Sequence, residues 1–301
     1  MSIEELDEEA QELINEYTLA YAFVLSQIFW MIDKGGGKSF EDRAIDRIQN
    51  RLTRLNNTVK RFIDKQISEY YFSSLSDIDK KASSLKGIVS MDDSFSMIHK
   101  QALKQAQNDL FNDLARNTIY MNEDAKKVIR EASKTILTDM IESGESYKTI
   151  KKKLKDDIAA KGITSFVDAS KRRWKIDKYV DMAVRTKSRI IHNTGTLNRL
   201  AEYRERYSDN ENFDLIQISN HSASDWCRHF EDKVFSISGN SKKYPPLSSL
   251  PNYGYNTLHP GCKHLFLSYM PAFQGEGKSA SNKYLNNNIK ELNKQDYHSR
   301  K

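Results

Sequence analysis

Proline is confined to one short stretch of this 301-residue chain. All five prolines lie between positions 245 and 271, and the first 244 residues contain none. Because proline interrupts both helices and central strands, its absence leaves a long segment free to form continuous helices, whereas the proline-bearing stretch must be built from turns and loops. We therefore expect a long helical part followed by a short turn-rich part.

Apolar residues recur at three- and four-residue spacing through most of the chain before position 207, which is the pattern of amphipathic helices. The predicted helices cover 3–33, 40–85, 94–118, 122–144, 147–160 and 176–207. The fourth is predicted to begin at Asn122, a residue type favoured at helix N-caps, and to end at Gly144.

After position 212 the spacing of apolar residues changes from helical to alternating, which is the period of a strand. The strand candidates are 213–219, 233–238 and 264–270. Three short strands separated by loops favour a small antiparallel sheet that rests on the 176–207 helix. The predicted fold class is α+β, mostly α, with long N-terminal helices followed by a small antiparallel-sheet module packed on a long helix.

These patterns divide the chain into three regions. Residues 1–160 are predicted to form a helical arm or bundle, residues 161–272 an α+β module, and residues 273–301 a polar, flexible tail. The module contains all five prolines and both cysteines, so we expect it to carry the most distinctive chemistry of the chain.

Several classes of protein are excluded by composition. No run of about 18 apolar residues is present, so no membrane-spanning helix is expected. The residues before the most apolar run, at 19–32, are acidic, whereas a secretory signal begins with positive charge. Two cysteines do not make a disulfide framework in a chain of this length, which favours synthesis in a reducing cytoplasm.

Positive charge is concentrated in one segment. The chain carries a net charge of +6, but residues 147–189 alone carry ten Lys and four Arg against five Asp, a net of +9. Such a segment suits a polyanion such as double-stranded DNA, bound without sequence specificity; the alternative is a solvated helical face with no partner. The candidate DNA-binding residues are Lys151, Lys152, Lys153, Lys155, Lys171, Arg172 and Arg173.

Cysteine and histidine cluster between positions 220 and 264. The pairs Cys227/His229 and His259/Cys262 offer four N and S donors, the kind that tetrahedral zinc prefers, so these four residues are the candidate metal ligands. Two other interpretations stay open, namely buried thiols and hydrogen-bonded imidazoles with a structural role, or a disulfide between the two cysteines. We expect no cofactor, with zinc as the alternative.

Established catalytic motifs are absent from the sequence. None of the patterns GxxxxGKS/T, GxGxxG, HExxH and GxSxG occurs, and the GGGKS run at 35–39 follows a predicted helix rather than the strand that a phosphate loop requires. We therefore expect a protein that is not an enzyme. The alternative is a metal-dependent nuclease built on the His/Cys cluster at 221–264.

Four segments of the second half resemble a known family of phage proteins. They are the start of the long helix around Trp174, the stretch LIQISNHSASDWCRHFEDKVFSISG at 215–239, the proline-rich link at 244–254, and LHPGCKHLFLSYMP at 258–271. In order and spacing they are similar to the phage minor head proteins, the Mu F-like and phage minor capsid protein 2 group. The residues that carry the resemblance are Trp174, Arg185, Thr186, His221, His259, Pro260, Cys262 and Lys263.

The resemblance implies a structural virion protein without a catalytic step. It implies association with the portal protein during procapsid assembly, scaffolding or major capsid protein as further partners, and non-specific contact with double-stranded DNA during packaging or genome delivery. The location implied is the interior of the virion head, after assembly in the host cytoplasm. The alternative to a DNA-contacting head protein is a helical adaptor with no nucleic-acid role.

Overall fold

Helices dominate the computed structural model, which describes residues 3–91, 96–142, 146–162, 166–167, 173–207, 210–251, 253–254, 256–280, 284–285 and 287. The α-helices of these described ranges are α1 (Ile3–Asp33), α2 (Lys38–Ser83), α3 (Met97–Glu142), α4 (Tyr147–Lys161), α5 (Ile176–Arg206) and α6 (Pro271–Gln274). The strands are β1 (Phe166–Val167), β2 (Arg173–Trp174), β3 (Leu215–Ile218), β4 (Val234–Ser236) and β5 (Phe266–Ser268). The predicted α+β, mostly α class is confirmed. None of the described helices has an apolar stretch long enough to cross a bilayer.

The chain forms two compact units, each built from separate stretches of sequence. One, which we call the helical unit, comprises Ser2–Asp64 and Asp109–Ala183. The other, the sheet unit, comprises mainly Lys65–Asn108 and Val184–Lys301. The predicted division at positions 160 and 272 is based on local patterns along the sequence, whereas each unit joins stretches that lie far apart in the chain.

The interior of the helical unit follows the periodicity of the sequence. Buried side chains recur every three or four residues along α1 and along the first part of α2, so each helix presents one continuous apolar stripe. The phenol of Tyr17 on α1 donates a hydrogen bond to the carbonyl oxygen of Leu114 on α3, at 2.9 Å. After α1, the amide of Gly37 donates to the hydroxyl of Ser133, at 3.0 Å, and fixes the glycine turn against α3.

The predicted break before Asn122 is wrong, because α3 runs without interruption through this residue. The apolar stripe continues on both sides of it, with Leu114, Met121 and Ala125 all fully buried. Burial of a continuous stripe is worth more than the capping preference of one asparagine, so the helix passes through it. The predicted stop at Gly144 lies outside the described residues.

The sheet unit contains a three-stranded antiparallel sheet in the order β4–β3–β5. The register pairs Ile216 of β3 with Phe235 of β4 and with Ser268 of β5. The central strand is covered on both faces. Ile216 lies in the main apolar cluster of this unit, which includes Phe213, Phe230, Phe235 and Phe266. Leu215 lies in a smaller cluster on the other side, with Val234, Tyr244 and Tyr269. All three strands were predicted from the alternating pattern, although each is shorter than its predicted range.

Helix α5 holds the sheet through its polar side chains as well as its apolar face. The side-chain oxygen of Asn193 accepts a hydrogen bond from the amide of Phe266 in β5, at 2.7 Å. Farther along the helix, the ring of Tyr203 stacks on Phe213 with centroids 4.7 Å apart. These contacts explain why a sheet of only three short strands forms a stable layer against one helix.

Part of the predicted tail packs on the sheet unit. The amide of Val234 donates to the carbonyl of Lys278, at 3.0 Å, and Ala280 and Leu285 are buried in the main apolar cluster. Most of the rest of the predicted 273–301 tail lies outside the described residues.

Candidate functional site

The first turn of the candidate site is a short 3₁₀ helix, Trp226–His229. The carboxylate of Asp225 caps it by accepting a hydrogen bond from the amide of Cys227, at 3.0 Å. Trp226 packs edge-to-face on Phe230, and both belong to the main apolar cluster. The capped turn therefore places the Cys227 thiol in the interior, with no exposed surface.

The second turn is the His-Pro-Gly-Cys segment at 259–262. The amide of Cys262 donates to the carbonyl of His259 across the turn, at 3.1 Å. Gly261 has a φ of 77°, a left-handed conformation that glycine adopts without steric cost. Its amide donates to the hydroxyl of Thr186 on α5, at 2.7 Å, so the turn is fixed to the long helix.

The two turns bring three metal-ligand side chains together. The sulfur atoms of Cys227 and Cys262 and a ring nitrogen of His259 all lie within 4.8 Å of one another. The Nε2 atom of His259 lies 3.0 Å from the Cys227 sulfur and 3.5 Å from Asp225 Oδ2. Both cysteines are free and buried, with Cys262 only 2% exposed.

A hydrogen-bonded chain of side chains leads away from the second thiol. The Cys262 sulfur lies 3.3 Å from Nδ1 of His264, whose Nε2 lies 3.0 Å from Oε1 of Glu231. The same carboxylate oxygen accepts hydrogen bonds from the backbone amides of His221 and Ala223, at 2.8 and 3.1 Å. Glu231 therefore connects the loop after β3 to His264, just after the second turn.

These contacts shift the pKa values of the groups in the chain. A hydrogen bond from Cys227 and the adjacent His264 lower the pKa of Cys262 below that of an ordinary thiol, although burial acts in the opposite direction. Burial alone would lower the pKa of His264, but Cys262 and Glu231 raise it overall. Burial raises the pKa of Glu231 and the hydrogen bonds that it accepts lower it, with a net lowering. The directions of these shifts follow from the close contacts among Cys262, His264 and Glu231.

The arrangement has two chemical interpretations. Two sulfurs and one imidazole nitrogen form the donor set of a structural zinc site. The order Cys262, His264, Glu231 is also that of a nucleophile, a base and an orienting acid. However, Cys262 is 2% exposed and His264 is 3% exposed, so a substrate cannot reach the sulfur in this conformation. The geometry therefore favours a closed, structural role over a catalytic one.

One of the four predicted metal ligands lies away from the other three. The ring of His229 lies 3.2 Å from the hydroxyl of Tyr284 and is not part of the cluster formed by Cys227, His259 and Cys262. The reason is the 3₁₀ turn, in which residues two apart point in different directions. Asp225, Glu231 and His264 lie beside the cluster but were not among the predicted ligands. A signal in the sequence was available for His264, which follows Cys262 by two residues.

The residues that carry the family resemblance are spread over both units. In the helical unit, Trp174 packs edge-to-face on Tyr179. In the sheet unit, Thr186 anchors the second turn and Arg185 is half-buried, while Pro260 and Lys263 are exposed. His221 is half-buried, and its Nε2 lies 2.8 Å from the Ser219 hydroxyl.

The predicted DNA-binding residues divide into three groups. Lys155 pairs with the Asp33 carboxylate at 2.6 Å, and Lys151 donates to the Asp33 carbonyl at 2.9 Å. Lys152 and Lys153 are exposed on α4. Lys171 and Arg172 lie outside the described residues, and of Arg173 only the backbone is described, in β2.

Comparison with known protein families gives one match. The family model for phage minor capsid protein 2 matches residues 37–301, which include most of both units and the whole candidate site. No curated protein matches the chain significantly, and neither does any solved structure. Because the match spans most of its length, the chain belongs to the phage minor capsid protein 2 family, whose members are structural proteins of the phage head.

Proposed function

We propose that this capsid-family protein associates with the portal during procapsid assembly and contacts the packaged DNA inside the head. The observation that carries the proposal is the family match over residues 37–301, which makes the chain a structural head protein. This role requires no catalytic step. It needs one surface for a protein partner and one for the genome, and each unit offers a candidate.

The candidate surface for the portal is at the start of α3, in the sheet unit. Met97 and Ile98 are 66% and 47% exposed, and a partner that covered both would remove two adjacent apolar side chains from water. Ile98 also lines an open groove of about 650 Å³ together with polar side chains of α3 and α5. A partner seated there would bury the apolar side chain of Ile98 and meet mainly hydrogen-bonding groups around it.

The candidate surface for DNA is on α4, in the helical unit. Lys152 and Lys153 are exposed, and Lys151 and Lys155 are only partly exposed. Exposed lysines contact phosphate groups without sequence specificity, and such contacts weaken as salt rises. We therefore assign the main DNA contact on the described part of α4 to these two lysines.

Portal association is tested by coexpressing the full chain with the portal protein of the same phage. We expect the chain to elute with portal rings in size-exclusion chromatography, and the double variant Met97→Asp/Ile98→Asp to elute separately. The matched control is Tyr253→Asp/Phe273→Asp, which places the same two charges at other exposed apolar positions of the sheet unit. A wild-type chain that never elutes with the ring contradicts the proposal.

DNA contact is tested by mobility shift on double-stranded DNA of mixed sequence. We expect Lys152→Glu/Lys153→Glu to weaken binding more than Lys60→Glu/Lys65→Glu, which makes the same charge change at exposed positions of α2. Equal losses in the two variants would mean that only net charge matters. Absence of binding by the wild-type chain would favour the adaptor without a nucleic-acid role.

A further inference from the structure

We propose that Cys227, His259 and Cys262 bind a zinc ion that fastens the two turns of the sheet unit, with Asp225 as the fourth ligand. The three donor atoms lie within 4.8 Å of one another, and each side chain is held on a turn that the backbone already fixes. Thiolate and imidazole donors in a closed setting are typical of structural zinc, which prefers four tetrahedral N, S or O ligands.

The tautomer of His259 is the one that a metal requires. Its Nδ1 atom lies 2.7 Å from the carbonyl oxygen of Pro260. A carbonyl oxygen only accepts hydrogen bonds, so Nδ1 must carry the proton. In the neutral ring the lone pair is then on Nε2, the atom that faces Cys227 and Asp225. A histidine ligand oriented by a backbone carbonyl is a common feature of zinc sites.

The surroundings of Cys262 suit a metal-bound thiolate. Its sulfur accepts a hydrogen bond from the backbone amide of His264, at 3.4 Å, and faces Nδ1 of the same residue at 3.3 Å. The other ring nitrogen of His264 lies 3.0 Å from Glu231, so this ring is an outer partner that orients and supports the thiolate. The backbone hydrogen bond disperses part of the negative charge that two thiolates bring to one ion.

Asp225 offers a carboxylate that contacts both turns of the site. One of its oxygens accepts the amide hydrogen bond of Cys227, and the other lies 3.5 Å from Nε2 of His259. The ion would then join two turns that are separated by about thirty residues of chain. Since such a site does not exist in the unfolded chain, zinc binding would stabilise the folded sheet unit.

The experiment is metal analysis of the full chain, purified without a histidine tag and without chelators. We expect about one zinc ion per chain in the wild type, and the same content in His229→Ala, which removes a nearby imidazole that lies away from the cluster. Cys262→Ser and Cys227→Ser are expected to lose most of the zinc. Wild-type protein free of zinc, or unchanged zinc content in both serine variants, would overturn the proposal.

A second measurement covers the case in which the serine variants do not fold. We expect both wild-type thiols to resist a thiol reagent in the native protein and to react after chelation of the metal. Thiols that stay unreactive in denaturant until a reductant is added would reveal a disulfide and overturn the proposal. After replacement of zinc by Co²⁺, Asp225→Asn is expected to change the visible spectrum; an unchanged spectrum would exclude Asp225 as a ligand.

Discussion

The two units bury different kinds of side chain. Among the described residues of the helical unit, the buried polar side chains are the neutral Asn117, Thr118 and Ser133. The sheet unit buries arginine and histidine as well, including Arg189, Arg199, His99, His192 and His264. A buried ionisable group is stable only with suitable partners, whereas an apolar stripe tolerates many substitutions of similar size. The sheet unit should therefore be more sensitive to single substitutions and to pH.

The largest expected effect of this difference is at Tyr203. Its ring stacks on Phe213, and its hydroxyl donates to Asp79 at 2.8 Å and accepts from the amide of Met91 at 2.9 Å. Tyr203→Ala should lower the free energy of unfolding by about 3–5 kcal/mol, because it leaves a cavity and two polar groups without their partner. Chemical denaturation followed by circular dichroism measures this loss.

The matched control is Leu19→Ala in the helical unit, where the side chain is 59% exposed. We expect this substitution to change the free energy of unfolding by no more than about 0.5 kcal/mol. Similar losses in the two variants would show that Tyr203 is not packed in the core of the sheet unit.

The second prediction concerns acid stability. Burial lowers the pKa of His192 from 6.5 to about 4, against smaller opposing effects of Asn193 and Asp77. Because the unfolded chain takes up this proton first as pH falls, the contribution of the neutral ring is complete above about pH 6.5 and is lost towards about pH 4. The loss should reach the order of 3 kcal/mol.

His192→Gln should remove this part of the acid sensitivity. The test compares the unfolding free energies of wild type and variant at about pH 7 and about pH 4.5. The variant should lose less stability over this interval than the wild type. An identical pH dependence of the two proteins would show that His192 is not buried in its neutral form.

The third prediction uses Gly195 on α5. Alanine normally stabilises a helix by about 1 kcal/mol relative to glycine. Here a Cβ atom would collide with the hydroxyl of Ser74 and would lie 3.2 Å from the carbonyl oxygen of Tyr71, so Gly195→Ala should instead destabilise by about 1–3 kcal/mol. Adding Ser74→Ala should recover part of the loss in thermal unfolding experiments. A more stable single variant would show that α2 and α5 pack less closely at this point.

An element could be predicted from the sequence where its burial depends on neighbouring residues rather than on distant ones. The periodicity of apolar residues predicted α1 with its observed bounds and α5 to within one residue, because burial of a stripe is a local property. The predicted helix break at Asn122 was wrong, because the capping preference of one residue stabilises less than burial of the apolar stripe that continues on both sides of it. The strands were found by their alternation, but their ends depend on pairing with distant residues.

The candidate site was predictable only in its residue types. Cys227, His259 and Cys262 were selected because their donor atoms suit a metal, and the structure places these three together. His229 satisfied the same criterion, but the 3₁₀ turn directs it elsewhere. The contact between Glu231 and His264 could not be predicted, since it joins two loops 33 residues apart and depends on the register of the sheet.

The smallest expected effect on stability is at the surface of the helical unit, where Asp33 pairs with Lys155. Both side chains are partly exposed, so Asp33→Asn should change the free energy of unfolding by less than about 1 kcal/mol. Its effect on DNA binding should be larger, because the variant releases Lys155 for contact with phosphate. We expect tighter binding to DNA. We also expect the binding constant to depend more steeply on salt concentration, by up to about one released counterion per bound chain.

The control for this prediction is Asp46→Asn, which makes the same charge change at an exposed position of α2. Binding constants measured over a series of salt concentrations separate two explanations. If only net charge matters, the two variants will bind DNA equally well. If α4 is the surface that contacts DNA, only Asp33→Asn will steepen the salt dependence, because only there does a lysine of the predicted basic segment lose its carboxylate partner. The helical unit would then differ from the sheet unit in function as well as in construction, since its Asp33–Lys155 pair would contribute little to folding and would reduce the positive charge available to DNA.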